Sequence, residues 1–356
     1  MEAALYEPEL GYYERRDPFA EEGDYVTAAD LGDWAALAFA DLIAWGWRAM
    51  GAPSDWALIE QGGGSGRLLC AIVTALEERG ASPPRRIAIE RTNAMRRRQQ
   101  ARYRERGISV AQYDRPEAVP PQECAILISN ELPDAFPVRS FVQERGRLYE
   151  RLVAWEEGRF RWRRAETPLR DPPPIDPRLR AAWPEGYRSE WNPHLACWME
   201  QSARLAERAL LFCVDYGFAR EEYYRPERRR GTLMGHANHR VVERVLDHAG
   251  GCDITAHVDF TALAEAARAA GFRPLAFTPQ WAWLAQSPVL QARLARLAAR
   301  RDAAAVAEIA RLKRLIMPQG MGETFKLFVA SRGGDLPPPD HLAPFDRLDR
   351  LGPPDS

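Results

Sequence analysis

Two apolar runs in the first third of this chain each end in a carboxylate, Asp55-Trp-Ala-Leu-Ile-Glu60 and Arg86-Ile-Ala-Ile-Glu90. Gly62, Gly64 and Gly66 follow the first acid, and Leu68–Leu76 then continues with helical periodicity. Glycine permits an abrupt reversal from strand to helix with the backbone pressed against a ligand, so this stretch reads as a nucleotide-cofactor loop. The spacing narrows the ligand. Glycines at 62, 64 and 66 make G-x-G-x-G, whereas the dinucleotide fingerprint G-x-G-x-x-G needs a glycine where Arg67 stands. A phosphate loop ends in Gly-Lys-Ser/Thr, and the first lysine of the chain is Lys313.

In a doubly wound sheet the carboxyl ends of the strands form the ligand crevice, and an acid after the second strand accepts hydrogen bonds from a ribose diol. Glu60 and Glu90 therefore suit a cofactor that has a ribose, lacks phosphate and carries positive charge. S-adenosylmethionine, with its cationic sulfonium and amino groups, has that chemistry. A second cluster, Asn130, Glu131 and Asp134, follows the apolar run 123–129 and places an amide and two carboxylates at a central strand end, between cofactor and substrate. Asn130 and Asp134 also suit turn capping. Asp215 ends the run Ala209–Val214, and Asp253-Ile-Thr-Ala-His257-Val-Asp259 sets acid, hydroxyl and imidazole before a helix that Asp259 can cap. His236 and His239 lack a helical pattern and accompanying ligands, so no metal site is assigned. Gly63–Arg67 nearly spells the G-x-S-x-G nucleophile elbow, with Asp215 and His257 in α/β-hydrolase order. Arg67 is too bulky for that strained turn, and Glu60 and Glu90 would have no role in a hydrolase.

The elements that must position these residues alternate. Strands are expected at 55–60, 86–90, 108–112 and 123–129, with helices near 66–79 and 92–106, which is the pattern of a parallel sheet with helices on both faces. Residues 1–54 are expected to form a loop and a helix, roughly Trp34 to Met50, that lids the crevice. The core, 55–137 and 208–332, is interrupted by a β-hairpin and helical insertion at 138–207, marked by turn signals at Glu144-Arg-Gly146 and Glu156-Glu-Gly158. A substrate-side excursion is expected over 218–255, then a helix at 259–270, strands near 273–279 and 324–331, and helical periodicity at 284–316. The proline-rich tail 333–356 is expected to be mobile.

Composition excludes more than it assigns. At 356 residues the chain suits one elaborated α/β domain. Its net charge of -1 gives no general attraction to nucleic acid or anionic membrane. Five scattered cysteines without C-x-x-C spacing read as reduced thiols. Neither a leader pattern nor a membrane-length apolar run is seen, so the expectation is a soluble, cytoplasmic protein.

Several blocks then stand together in order: Leu5-Tyr6-Glu-Pro-Glu-Leu-Gly11-Tyr12-Tyr13, Gly23-Asp24-Tyr25-Val-Thr27-Ala28, the Glu60 glycine loop, Asn130-Glu131 with Asp134-Ala-Phe-Pro137, Asp215-Tyr216-Gly217, Gly231-Thr232-Leu233 with His239-Arg240, and Asp253–Phe260. With these blocks the chain resembles the MidA-like family of S-adenosylmethionine-dependent methyltransferases, which includes a mitochondrial complex I assembly-factor arginine methyltransferase. The resemblance runs from Met1 to about Arg332. It implies the class I methyltransferase fold, a Rossmann-like, mostly parallel seven-stranded sheet with insertions, and methyl transfer to an arginine of a protein, a complex I-type subunit.

On that reading Glu60, Gly62, Gly64, Gly66, Glu90 and Asn130 hold the cofactor, Gln112 and Tyr113 flank adenine, and Asp24 and Thr27 close over the methionine end. Glu131 and Asp134 hold the guanidinium, with Asp215 and Asp253 behind them, and His257 and His239 receive or relay the proton. Tyr12, Tyr13 and Tyr216 complete the substrate side. The chain departs from the family's usual Glu-Leu-Gly-Pro-Gly-Arg-Gly-Thr-Leu loop at Gln61, Gly63, Ser65 and Arg67. Such a loop is costlier to order. The alternatives are a methyltransferase for a small molecule or another residue type, and a non-catalytic assembly factor that keeps the fold.

Overall fold

The computed structural model describes residues 1–15, 33–237, 240–300 and 302–352. Seven strands lie side by side in the order Ala111–Tyr113, Arg85–Ile89, Ala57–Gln61, Gln122–Asn130, Ala206–Phe218, Phe325–Arg332, Arg273–Pro279. The first five are parallel, and Phe325–Arg332 runs antiparallel to both neighbours. All five residues of Ala57–Gln61 are buried, as expected for a central strand covered on both faces. Alternate residues feed two cores: Leu58 packs with the helices Trp34–Ala49 and Arg67–Glu77, while Ala57 and Ile59 pack with Leu195–Arg204 and Phe260–Ala269. Asp259 caps the last of these helices, accepting from the amides of Thr261 (3.0 Å) and Ala262 (3.1 Å).

The long strand Ala206–Phe218 reaches beyond its neighbours, and there the short strand Val258–Asp259 joins it in parallel. This pairing needs Gly217, because a Cβ at that position would lie 2.1 Å from the Val258 carbonyl oxygen. The close approach brings His257 to the carboxyl edge.

The interruption between the fourth and fifth core strands is a four-stranded antiparallel sheet, Arg159–Pro168, Arg147–Glu156, Arg139–Glu144 and Arg188–Trp191. Its two turns fall at the expected Arg145-Gly146 and Glu157-Gly158, where all four residues have positive φ. The later excursion is a small sheet, Arg240–Val242, Met234–Ala237 and Asp253–Thr255.

Three expectations are corrected. The helix Trp34–Ala49 is not a lid: ten of its sixteen residues are buried, because it is apolar on too many sides to sit at a surface. The short helices Glu2–Tyr6 and Tyr12–Arg15 reach the crevice instead. Leu195–Arg204 belongs to the core and not to the insertion, since Leu195, Trp198 and Met199 pack beneath the sheet. The tail is not mobile over 340–351. Leu342 and Leu351 are fully buried, and the segment returns to the edge strand, where Arg347 N donates to Phe277 O (2.8 Å) and Phe277 N donates to Asp346 Oδ1 (2.8 Å). Covering an edge strand removes its exposed backbone groups from alternative pairing.

Because Leu351 fills the lower core, Leu351→Ala is expected to cost about 2–4 kcal/mol of unfolding free energy. Urea unfolding checks this, and a loss near zero would mean that the tail does not pack.

Candidate active site

A cavity of about 710 Å³ opens at the carboxyl edge of the parallel strands. Gly62 (φ +71°) and Gly64 (φ +50°) line it. A Cβ at Gly62 would meet the Leu132 side chain at 2.6 Å, and one at Gly63 would lie 2.1 Å from Glu60 Oε2. The loop is pinned from the following helix, Asn93–Glu105, as Gln99 Nε2 donates to Gly64 O (3.0 Å) and Arg102 donates to Ser65 Oγ (3.2 Å). Gly66 does not line the cavity. It caps the helix Arg67–Glu77 in the left-handed conformation, against the Tyr103 ring. Arg67 is exposed and also lies off the cavity wall, so it does not crowd the site.

Glu60 and Glu90 stand on one wall. Burial, and secondly repulsion from Glu90, push the Glu60 carboxyl up to about 8, and its Oε2 has no hydrogen-bond partner. Glu90 is also raised by burial, opposed by bonds to its Oε1 from Thr92 N and Oγ1, both 3.0 Å. An acceptor that lacks a partner, a raised pair of acids and a glycine cradle together fit a ligand that brings hydroxyl donors and positive charge. Gln61, one of the departures in the loop, is accommodated by partners outside it: its side chain accepts from Trp198 Nε1 (2.9 Å) and donates to Ser202 Oγ (3.2 Å). Trp198, which sequence reasoning missed because its helix was assigned to the insertion, lines the cavity, as does Tyr6 of the block Leu5–Tyr13.

Gln112 and Tyr113 do not reach the cavity. The strand carrying them begins later than expected, at Ala111, so Asp114 and Arg115 stand at the crevice edge in their place. Gln112 Nε2 instead ties the strand to the neighbouring helix through Arg96 O (3.1 Å) and Gln99 Oε1 (3.0 Å). Asp24, Thr27 and His239 lie outside the described residues.

A second cavity, about 290 Å³, shares Tyr13 and Glu131 with the first. Glu131 has φ +54°, a conformation that non-glycine residues hold only where the surroundings enforce it. Asn130 Nδ2 donates to Glu131 Oε1 (3.0 Å), and Tyr13 donates its hydroxyl to Asp253 Oδ1 (2.8 Å). Asp134, Tyr216, Asp253 and His257 supply further walls. Burial and then Glu131 repulsion push the Asp134 carboxyl up to about 7, against a hydrogen bond from Tyr216. The His257 ring stands edge-on to Tyr216 at 5.0 Å, and burial, Arg228 and Lys326 push it down to about 3. It is therefore a neutral hydrogen-bond acceptor with a buried, unpartnered Nδ1, not the proton carrier expected from its type.

Besides Gly66, Gln112 and Tyr113, two further expected site residues lie elsewhere. Asp215 lines neither cavity: it is fully buried, accepting from Asp134 N (3.1 Å) and Tyr216 N (2.8 Å), so it fixes the loop and strand that carry Asp134 and Tyr216. Tyr12 is packed among Leu5, Val245 and Ile254, because the helical step that turns Tyr13 toward the cavities turns Tyr12 into the core.

Comparison with known proteins agrees with this geometry. Residues 38–278 match the family described as an S-adenosyl-L-methionine-dependent methyltransferase. A crystal structure from Burkholderia thailandensis, described as a methyl transferase and bound to S-adenosyl-homocysteine, is 28% identical, with a TM-score of 0.84 over 98% of this chain and 90% of that one. A native structure from the same organism gives 29% identity and a TM-score of 0.83 over the same shares. The mitochondrial protein arginine methyltransferase NDUFAF7 homolog of Drosophila melanogaster is 25% identical over 295 residues, which span 73% of this chain and 63% of the fly protein.

Two outcomes follow from the acidic wall. Glu90→Ala is expected to weaken S-adenosyl-homocysteine binding by at least about tenfold in calorimetry, the loss of one or two hydrogen bonds to a charged acceptor. The Glu60 carboxyl is raised from 4.5 to about 8 on folding, so the folded protein holds a proton that the unfolded chain releases, and stability falls as pH rises from 4.5 toward 8. Glu60→Gln removes that loss. The melting temperature of the ligand-free variant, relative to the unsubstituted protein, should climb by several degrees between pH 5 and pH 8; a difference independent of pH would contradict the raised carboxyl.

Proposed function

The chain belongs to the family of S-adenosyl-L-methionine-dependent methyltransferases matched over residues 38–278, and from that premise we infer that its methyl acceptor is a nitrogen of an arginine side chain in a protein. The observation that carries this reading is the second cavity. Its lining includes the carboxyls of Glu131, Asp134 and Asp253 and the rings of Tyr13 and Tyr216 and, among the described residues, no lysine or arginine. Carboxylates in such a setting favour a planar cation that can be held by several hydrogen bonds, and aromatic rings add cation–π attraction. At about 290 Å³ the space suits one inserted side chain better than a drug-sized molecule.

S-adenosyl-L-methionine supplies an electrophilic methyl on its sulfonium, and Glu60, Gly62, Gly64 and Glu90 would hold it. Glu131 and Tyr13, common to both cavities, would orient the guanidinium at the junction. Positioning of this kind is a large part of the rate in bimolecular transfer. The attacking nitrogen gains the methyl and must release a proton. Asp134, raised to about 7, is placed to take it, and neutral His257 can accept a hydrogen bond from another guanidinium N–H.

The name of the fly relative supports arginine as the acceptor. A complex I-type subunit as the protein that carries it follows from the family resemblance. The test is transfer of isotope-labelled methyl to such a subunit, with the product hydrolysed and identified as methylarginine. Asp134→Asn is expected to lower kcat/KM by about a hundredfold while cofactor affinity changes less than threefold. Label recovered on lysine or on a small molecule would sink the arginine reading.

A further inference from the structure

A buried acid that belongs to neither cavity stands behind the acceptor site. Glu190, on the inserted strand Arg188–Trp191, is 2% exposed. Its Oε1 accepts from both the backbone amide and the hydroxyl of Thr232, and from the Tyr223 hydroxyl at 3.4 Å. The same Thr232 Oγ1 accepts from the backbone amide of His257 at 3.0 Å and lies 3.2 Å from the Tyr223 hydroxyl. Space is as restrictive as hydrogen bonding here: a Cβ at Gly231 (φ +76°) would lie 2.3 Å from Glu190 Oε2.

We propose that Glu190, acting through Thr232, is a positioning residue that holds His257 against the acceptor cavity and so makes the inserted sheet part of the acceptor site. The argument is one of connectivity. His257 precedes the two-residue strand Val258–Asp259, so the core sheet fixes the chain on one side of it only. Toward the excursion, the Ala256 amide is bonded to Asp134 O (3.0 Å), and the amide of His257 itself to Thr232 Oγ1, which leads on to Glu190. The imidazole lies edge-on to Tyr216 and tilted against Phe218 at 5.2 Å, contacts that orient the ring without bonding its buried Nδ1. Moving the backbone would therefore move the ring and its unpartnered Nδ1. The cofactor wall has no share in this chain of contacts, because none of Glu190, Thr232 and His257 lines the larger cavity.

Thr232→Val, which keeps the volume and removes the hydroxyl, tests this, with Thr232→Ser as the rescue. The proposal rests on the arginine reading only for the choice of probe, Nα-acetyl-arginine N-methylamide, followed through the His257 imidazole by NMR. In the valine variant the amide hydrogen of His257 should exchange at least about tenfold faster and the probe should bind about tenfold more weakly, with S-adenosyl-homocysteine affinity within twofold. The serine variant should restore both. Unchanged exchange at His257, or unchanged probe affinity where the unsubstituted protein binds the probe, would overturn the proposal. If the unsubstituted protein fails to bind the probe while exchange still rises in Thr232→Val, the arginine reading falls and the clamp on His257 stands.

Discussion

A carboxyl group taken out of water is held at the cost of its ionisation unless a cation or hydrogen-bond donors replace the lost hydration. Six such groups, Glu60, Glu90, Glu131, Asp134, Asp215 and Asp253, are gathered in buried or half-buried positions at one edge of this sheet. Desolvation is the largest influence on Glu60, Glu90, Asp134 and Asp215, and raises all four. Their mutual repulsion adds to it. The edge is therefore built at the expense of stability, as functional sites often are, and it is relieved by a ligand that brings positive charge. The sulfonium of S-adenosyl-L-methionine is of that kind.

The fold distributes these acids by function. The ends of the first two core strands carry Glu60 and Glu90 to the larger cavity, while Glu131, at the end of the next, is shared with the smaller one. Asp215 lines neither of them. By accepting the Asp134 amide it fixes the loop from which Asp134 projects, so one buried acid orders another. The strain at Glu131 sits at the same strand end and is tolerated because its amide is bonded to Val214 O (2.9 Å).

The smaller cavity is assembled from segments distant in the chain. Tyr13 comes from a short N-terminal helix, Asp253 and Thr255 from the small sheet, and Met321 and Phe325 from the approach to and the first residue of the strand Phe325–Arg332. Of the two excursions from the core sheet, the small sheet is thus more than decoration on a common fold: Met234, His236, Asp253 and Thr255 form part of the wall of this cavity.

Sequence periodicity was sufficient for the order of core strands and helices, and the acids ending strands were sufficient to locate the cofactor crevice, because both are local: a strand of buried residues, a glycine turn and an acid one or two residues on are adjacent in the chain. The same locality made Asp259 legible as a cap. What sequence could not decide was which side of a short element faces a cavity. Tyr12 and Tyr13 are equivalent by type, yet a single helical step separates the core from the site; Asp134 and Asp215 are both acids at strand ends, yet one lines a wall and the other lies beneath it. Gln112 missed the crevice because its strand begins later than its pattern suggested, and the apolar helix Trp34–Ala49 was drawn into the core. The chain alone determined a parallel sheet with an acidic, glycine-lined edge for a cationic nucleoside cofactor, since those features are written within a few residues of one another. Only the tertiary structure decided which acids meet across the smaller cavity and that His257 is neutral there, because burial and long-range contacts, not residue type, set ionisation and orientation.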